Sequence, residues 1–536
     1  MQLLDLLSPH LIPGERSVSN DTLSLGWTTF AGVHPVVRSW LLAEHDRWAD
    51  VVCAVSRPPA VETFIRLSDN APATVDFDTL FSSAREDDIT SLTSFFFNPT
   101  TLEPTSTLLN ARALFAMDIM DTAVTTARQM YIESIGRVFM GRTFVHLSSL
   151  VLHIRSEFPS FTAPALSSLE LIGVRVVHSS PHPPTYARAW KQTPVAAVSD
   201  VHALMQSAHN LRSVSLVDID VRGSASSAPP LDLPFLDRCV FESRSPSSLQ
   251  NALDVFRAQE DTDFFAICRL SYSESLPDWA WTASGLDRSG PLALVVESCM
   301  SVVWLTFMTT DDAAKAPRPV YCDAVDAHSI AEARADRPTL FIRPFRISRL
   351  YIPQKVTSYK RALTRDVDNY STRIRDLYVV EMALKLNGED VWLRKLNTLV
   401  PDILRPAAHI SSLIIEDERF AHLPLYAPKS CSQVYVYCRE DWYGKSYLQF
   451  LPQSVAARQQ FIKDVYVGGV KRSRDSIAIS ALRALPVHFH DRRSTSSRPA
   501  PGTYHSQELD LARDILHYHE LKVLAIEAEL DMERKN

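Results

Sequence analysis

One short phrase, apolar-x-x-apolar-x-apolar, keeps returning along the chain. It appears as LSSLVL (Leu147 to Leu152), LSSLEL (Leu166 to Leu171), LRSVSL (Leu211 to Leu216) and LDRCVF (Leu236 to Phe241). Later copies are VVWLTF (Val302 to Phe307), ISRLYI (Ile347 to Ile352), ISSLII (Ile410 to Ile415) and CSQVYV (Cys431 to Val436). The end of each phrase alternates like a strand, so two side chains point into a core and the one between them points out. Leu150 and Leu152, Leu169 and Leu171, Val214 and Leu216, Leu350 and Ile352, and Leu413 and Ile415 are therefore expected on nearby parallel strands of one curved sheet.

Successive copies start 19, 45, 25, 66, 45, 63 and 21 residues apart, close to small multiples of about 22. That unit falls within the repeat length of leucine-rich solenoids, the larger gaps holding degenerate repeats such as FFAICRL (Phe264 to Leu270). Apolar triplets also recur by chance in a chain of this composition. Between copies the sequence turns polar and proline-rich, as in SSPHPPT (Ser179 to Thr185). VSDVHALMQSAHN (Val198 to Asn210) has helical spacing just before a strand phrase, with Asp200 as its candidate cap; helix then strand is the order of a solenoid with outer helices. The run LALVVESCMSVVWLTFM (Leu292 to Met308) carries Glu297 at its centre and reads as a buried strand pair. The fold class expected is α/β, an irregular leucine-rich-repeat-like solenoid over 81–480, preceded by a small helical segment over 1–80. A flexible linker follows over 481–505. The last segment, 506–536, reads as a helix whose stripe (Leu509, Ala512, Leu516, His519, Val523, Ile526 and Leu530) suits a coiled-coil seam, a terminal cap or a solvated tail.

Composition narrows the function. The chain has 536 residues, 46% hydrophobic and 22% charged, with net charge -7 and pI near 6.2, so no global electrostatic pull acts toward nucleic acid or anionic lipid. No nucleic-acid and no membrane partner is expected. The start, MQLLDLLSPHLIPGE, lacks the basic flank of a secretory signal, and seven scattered cysteines suit a reducing compartment, cytoplasmic or nuclear. Only 14 residues are glycine, and neither a Walker loop nor a dinucleotide fingerprint is present. No cofactor is expected.

In LGWTTFAGVHPVVRSWLLAEHDRWADVV (Leu25 to Val52), large apolar anchors at helical spacing surround Pro35, which suits a helix beginning there. Together with CAVSRPPAVETFIRLSDNAPATVDFD (Cys53 to Asp78), this stretch resembles the start of mushroom-type fungal F-box proteins. Gly26 and Trp27 match that family's glycine-tryptophan pair, Trp48 its later tryptophan, and Ala71 and Pro72 its alanine-proline step. ALMQSAHNLRSVSLVDID and LDLPFLDRCVFES are similar to the family's leucine-rich repeats, and the resemblance runs from Leu23 to roughly Leu270. Two features depart from it. The cysteine-arginine-arginine-tryptophan position holds His34, Pro35, Val36 and Val37, and the leucine-proline-x-glutamate opening is missing.

The resemblance implies a degenerate F-box whose apolar helix face (Trp27, Val37, Trp40, Leu41 and Trp48) docks a Skp-family adaptor. It further implies a non-catalytic adaptor that presents an unknown client protein to an SCF-type ubiquitin ligase. A leucine-rich interaction scaffold without ligase contact is the alternative, and an enzyme whose site is not visible in sequence is the third class. The client face is expected among the residues flanking the inward positions: Glu170, Ser215, Trp304, Thr306, Arg349, Tyr351, Glu416, Gln433, Tyr435 and Tyr437. Trp304, Tyr351, Tyr435 and Tyr437 carry the expected energy, because exposed aromatics bury large area with few rotamers to freeze.

Other chemistry is thin. His488 and His490 in VHFH share a strand face but lack a cysteine or carboxylate at zinc spacing, so surface histidines are expected and no metal. Asp218 and Asp220 bound a loop, and KRSR (Lys471 to Arg474) reads as a solvated turn or an import signal. No serine, cysteine or histidine lies in a nucleophile motif.

Overall fold

The computed structural model describes residues 34–82, 84–101, 103–116, 139–154, 158–173, 194–223, 229–243, 245–257, 262–270, 274–299, 302–315, 339–351, 364–382, 393–438, 447–469 and 475–492. The chain divides into two compact units, Met1–Phe264 and Phe265–Asn536. The described architecture is mixed α/β, with mostly parallel β-pairing and no closed barrel.

The first unit opens with α1 (Pro35–Ala43), α2 (His45–Asp50) and α3 (Pro58–Ser68). Pro35 occupies the first turn, where its missing N–H costs nothing, and His34 caps the helix by accepting from the Val36 amide through Nδ1 at 3.2 Å. Leu41, Trp48 and Val51 form a small core with Val37, Trp40, Ala54, Phe64 and Leu67 against it.

Six parallel strands follow, each beside its predecessor: β1 (Thr74–Asp76), β2 (Ala113–Ala116), β3 (Ser149–Ile154), β4 (Ser168–Gly173), β5 (Ser213–Val217) and β6 (Arg238–Ser243). Their register joins the phrase copies. Leu150, Leu169, Val214 and Cys239 form one row and Leu152, Leu171, Leu216 and Phe241 the next, all buried. One residue ahead of each strand, the backbone forms a second ladder: Ser148 donates to the Arg112 carbonyl, Ser167 to Ser148, Arg212 to Ser167 and Asp237 to Arg212. The leading apolar residue of each phrase (Leu147, Leu166, Leu211 and Leu236) is buried beneath that ladder.

Two expectations need correction here. The 45-residue gap before Leu211 hides no strand of this sheet, since β4 and β5 are direct neighbours; the extra length lies in a crossover that includes α4 (Val198–Ser207). Asp200 stands in the first turn of α4 and not at its cap, which is Ala197. Asp218 takes a left-handed φ of 53°, and its carbonyl lies where a side chain on Gly173 would have to be, so it shapes a loop. Asp220 is engaged by Arg222 at 2.7 Å.

The second unit contains β7 (Asp263–Arg269), whose first residues belong to the first unit, β8 (Leu292–Cys299), β9 (Val302–Thr309), β10 (Thr339–Arg343), β11 (Arg346–Tyr351), β12 (Ile374–Met382), β13 (Ser412–Ile415), β14 (Gln433–Tyr437), β15 (Asp464–Gly468) and β16 (His488–Arg492). Their order is β7-β10-β11-β9-β8-β12-β13-β14-β15-β16. The first four pairings are antiparallel and the last five parallel. The Leu292 to Met308 run is the expected strand pair, β8 against β9.

The phrases around Trp304 and Leu350 therefore do not lie on parallel strands. Trp304 faces Leu350 across an antiparallel pair, which puts the two side chains on one face, where opposite faces were expected. Ile352 lies outside the described residues. In the parallel half, Leu413, Val434 and Val465 make one buried row, with Ile415, Val436 and Val467 the next. Ser411, Ser432, Lys463 and His488 donate in turn to the carbonyls of Arg375, Ser411, Ser432 and Lys463. IRDLYV (Ile374 to Val379) and IKDVYV (Ile462 to Val467) supply two of these strands and are phrase copies that the sequence reading passed over. α5 (Leu393–Leu404), α6 (Phe450–Ala456) and α7 (Ser476–Arg483) precede β13, β15 and β16. The linker expected over 481–505 begins with the end of α7 and all of β16, and 493–536, including the expected terminal helix, lies outside the described residues.

Candidate interaction surface

In a parallel ladder, residues at alternate positions stack into rows across the strands. In the second unit, one face of β12 to β16 carries two such rows. The first is Asp376, Ser412, Gln433, Asp464 and His488; the second is Tyr378, Ile414, Tyr435, Tyr466 and His490. Tyr437 and Gly468 continue the face beyond them.

The second row is an aromatic stack. Tyr435 and Tyr466 lie 4.3 Å apart at 5°, and Tyr466 and His490 lie 4.4 Å apart at 9°. These spacings are close to the strand separation, so the rings stand upright on successive strands and touch face to face. Burial falls along the row: Tyr378 and Ile414 are buried, Tyr435 is 6% exposed, Tyr466 is half-buried and His490 is exposed. The buried end joins Ala293, Val295, Met308, Val380 and Ala313 in one apolar cluster, and Tyr437 and Tyr466 pack against it. Tyr437 lies over Gly468, where an added Cβ would come within 3.1 Å of the ring; glycine makes that close approach possible.

The polar row is joined along the sheet. Gln433 Oε1 accepts from Tyr435 Oη at 3.3 Å and from Ser412 Oγ at 3.4 Å. Asp464 Oδ1 lies 3.4 Å from His488 Nδ1 and 3.4 Å from His490 Nε2. The neighbouring strand thus supplies a carboxylate that sequence spacing did not reveal, although no group of three His, Cys, Asp or Glu among the described residues is placed to hold a metal ion.

Several expected site residues lie elsewhere. Trp304 is 2% exposed and packs against Phe341 at 5.1 Å, so it is core and offers no client contact. Thr306, Glu416 and Tyr435 are buried as well. Arg349 is on the opposite face, level with Leu305 and Leu340, in a buried ion pair with Asp366 at 2.5 Å. The common cause is cover on both faces of this part of the sheet: the Trp281 ring packs on Phe307 on one face, and Ala313 joins the apolar cluster of Met308 and Tyr378 on the other. The Tyr351 side chain lies outside the described residues. Glu170, Ser215, Gln433 and Tyr437 are half-exposed.

In α1 to α3 the expected docking set also divides. Leu41 and Trp48 are buried, the Trp48 indole donating to the Leu41 carbonyl at 2.7 Å and stacking on Phe64 at 5.7 Å, so both build the unit and do not face out. Val37 and Trp40 are half-buried. Trp27 lies outside the described residues. The large apolar residues that α1 turns to solvent are Val36, 69% exposed, and Leu42, 42% exposed, neither of which the sequence reading selected.

Cys53, Cys239, Cys268, Cys431 and Cys438 are buried and in no disulfide. Burial pushes the Cys53 and Cys431 thiols up to about 12 and raises those of Cys239 and Cys268 as well, so these four are protonated at neutral pH and poor nucleophiles. No described helix is long and apolar enough to cross a membrane.

No protein-family model matches the chain, and no curated protein or solved structure does either. The functional reading therefore stands on the geometry of the two units and the sequence features above.

Proposed function

We propose that the protein is a non-catalytic recognition adaptor of an SCF-type ubiquitin ligase. Its N-terminal helices are a degenerate F-box that meets a Skp-family adaptor, and an irregular leucine-rich-repeat-like solenoid holds the client. The carrying observation is the in-register stacking of the phrase copies, with a backbone ladder ahead of the strands: that architecture sets side chains of successive strands side by side in rows that a partner can read. Catalysis belongs to other subunits, and the working compartment is cytoplasmic or nuclear.

Adaptor contact falls to Val36, Val37, Trp40 and Leu42, with Leu41 and Trp48 holding them in place. The client face falls to Tyr437, Tyr466 and His490, with Tyr435 and Gln433 beneath and beside them. Co-purification of the full chain with a Skp-family adaptor tests the ligase half. Trp40→Ala should weaken that complex by about 2 kcal/mol or more, and Val36→Glu with Leu42→Glu should abolish it. A chain that captures no adaptor moves to the second reading, an interaction scaffold without ligase contact. That reading draws support from the inward turn of Leu41 and Trp48, which shrinks the apolar surface left for docking.

A further inference from the structure

We infer that the open face of the first unit's sheet binds a partner protein through a lysine flanked by apolar side chains, its ammonium held on Glu170. This surface goes beyond the client face assigned above to the second unit. On β2 to β6 the buried rows point one way, and the alternate positions form three rows on the opposite face. The middle row is Phe115, Val151, Glu170, Ser215 and Val240. Ser149, Ser168, Ser213 and Arg238 stand on one side of it, and His153, Ile172, Val217 and Glu242 on the other. Except for exposed Arg238 and buried Glu242, these side chains are half-exposed.

Glu170 sits at the centre of that face. Val151 and Ser215 are level with it on the neighbouring strands, and Ser168 and Ile172 flank it along its own. Among the described residues its carboxylate has no ion-pair or hydrogen-bond partner, and neither do the hydroxyls of Ser168, Ser213 and Ser215. His153, Arg238 and Glu242 are already engaged in interactions. The face therefore offers one unmatched negative charge, hydroxyl acceptors next to it and branched apolar side chains around both. A lysine matches this combination: its stem covers the apolar residues while the compact ammonium, with three donors that turn freely, reaches the carboxylate and a hydroxyl together. A guanidinium would bring five donors in a fixed fork, and the one phenyl ring on these rows, Phe115, lies two strands from Glu170. An acidic partner would meet like charge, and a wholly apolar one would bury the carboxylate unpaired.

The test pans the full chain against displayed random twelve-residue peptides, then measures fluorescein-labelled copies of the recovered sequences by fluorescence anisotropy. A lysine between apolar residues should recur among them. Glu170→Gln keeps the volume and loses no internal partner, so it should leave the circular dichroism spectrum unchanged and not lower the urea midpoint, while weakening these peptides about ten-fold or more. Glu170→Lys should reject them and instead bind the matched peptides in which glutamate replaces lysine. Arginine in place of the lysine should bind several-fold more weakly. Recovered peptides without lysine, lysine peptides that bind Glu170→Gln as tightly as the unmutated chain, or no recovered peptide at all would each overturn the inference. Adaptor capture is scored on α1 to α3 by co-purification, so failure of the ligase reading and failure of this one are distinguishable.

Discussion

The buried pair Arg349 and Asp366 offers a sharp test of how the second unit is held together. Arg349 Nη1 meets Asp366 Oδ2 at 2.5 Å with both side chains 1% exposed. Arg349 Nη2 donates to the Glu274 carbonyl at 2.6 Å, and Asp366 Oδ1 accepts from the Leu276 amide at 2.8 Å. The pair therefore fastens the segment after β7 to β11 and to the chain before β12. Replacing Arg349 by methionine keeps most of the volume and strands a carboxylate in the interior, which costs about 3–5 kcal/mol. Removing the second charge with Asp366→Asn should restore most of that, because a neutral amide can still accept from Leu276.

Acid provides a second handle on the same pair. Burial pushes Asp366 up to about 6 against the opposing pull of Arg349, so the folded state holds this proton more tightly than the unfolded chain, whose carboxylate titrates near 3.8. The associated stability is fully present below pH ~4 and is lost as pH rises through about 6, a change on the order of 3 kcal/mol for two units. Without Arg349 the carboxyl is held still higher, so the deficit of Arg349→Met should shrink as pH falls. Urea denaturation of the four proteins of the double-mutant cycle between pH 4 and 8 measures each of these. A cost below about 1 kcal/mol for Arg349→Met, or no rescue by Asp366→Asn, would refute the reasoning.

Three further outcomes are expected. Tyr435→Ala should cost about as much stability in urea denaturation as Leu413→Ala, roughly 2–5 kcal/mol, because both side chains are buried and Tyr435 also carries the Tyr466 stack. Trp48→Phe should cost about 1–3 kcal/mol by chemical denaturation, since the Leu41 carbonyl loses its indole donor in a buried setting. Gly469→Ala should prevent folding of the β15 end, visible as poor soluble yield and early proteolysis, because φ is +70° and the new Cβ would lie 2.2 Å from the Cys438 carbonyl; Gly141→Ala, also left-handed but with nothing within 4 Å, should be only about 1–2 kcal/mol worse.

The hydrophobic pattern was legible where strands are parallel. Leu150, Leu169 and Val214 fall in one register because the phrase carries both the strand period and the buried leading residue that positions the ladder. The pattern failed where β8 to β11 turn antiparallel, since a phrase of six residues says nothing about strand direction. Trp304 and Leu350 then share a face, and a position meant to face solvent becomes core. The spacing argument held for FFAICRL and for the gap between Ile347 and Ile410, which both supply strands, and failed before Leu211. Crossover length is not quantised, so the long gap before Leu211 hid no further strand of the sheet.

The site was half legible for the same physical cause. Tyr435 and Tyr437 are read correctly as neighbours on one face, but Tyr466, His490 and Asp464 join them only through parallel register across β14, β15 and β16. Sequence places Asp464 in an unremarked phrase and His490 in an isolated pair; pairing makes them a carboxylate between two imidazoles beside a stacked ring. Aligned on the phrase, IKDVYV brings Tyr466 level with Tyr435 by position alone. Function on such a surface depends on what successive repeats set side by side, so the informative unit of this sequence is the column across the phrases and not the motif along any one of them.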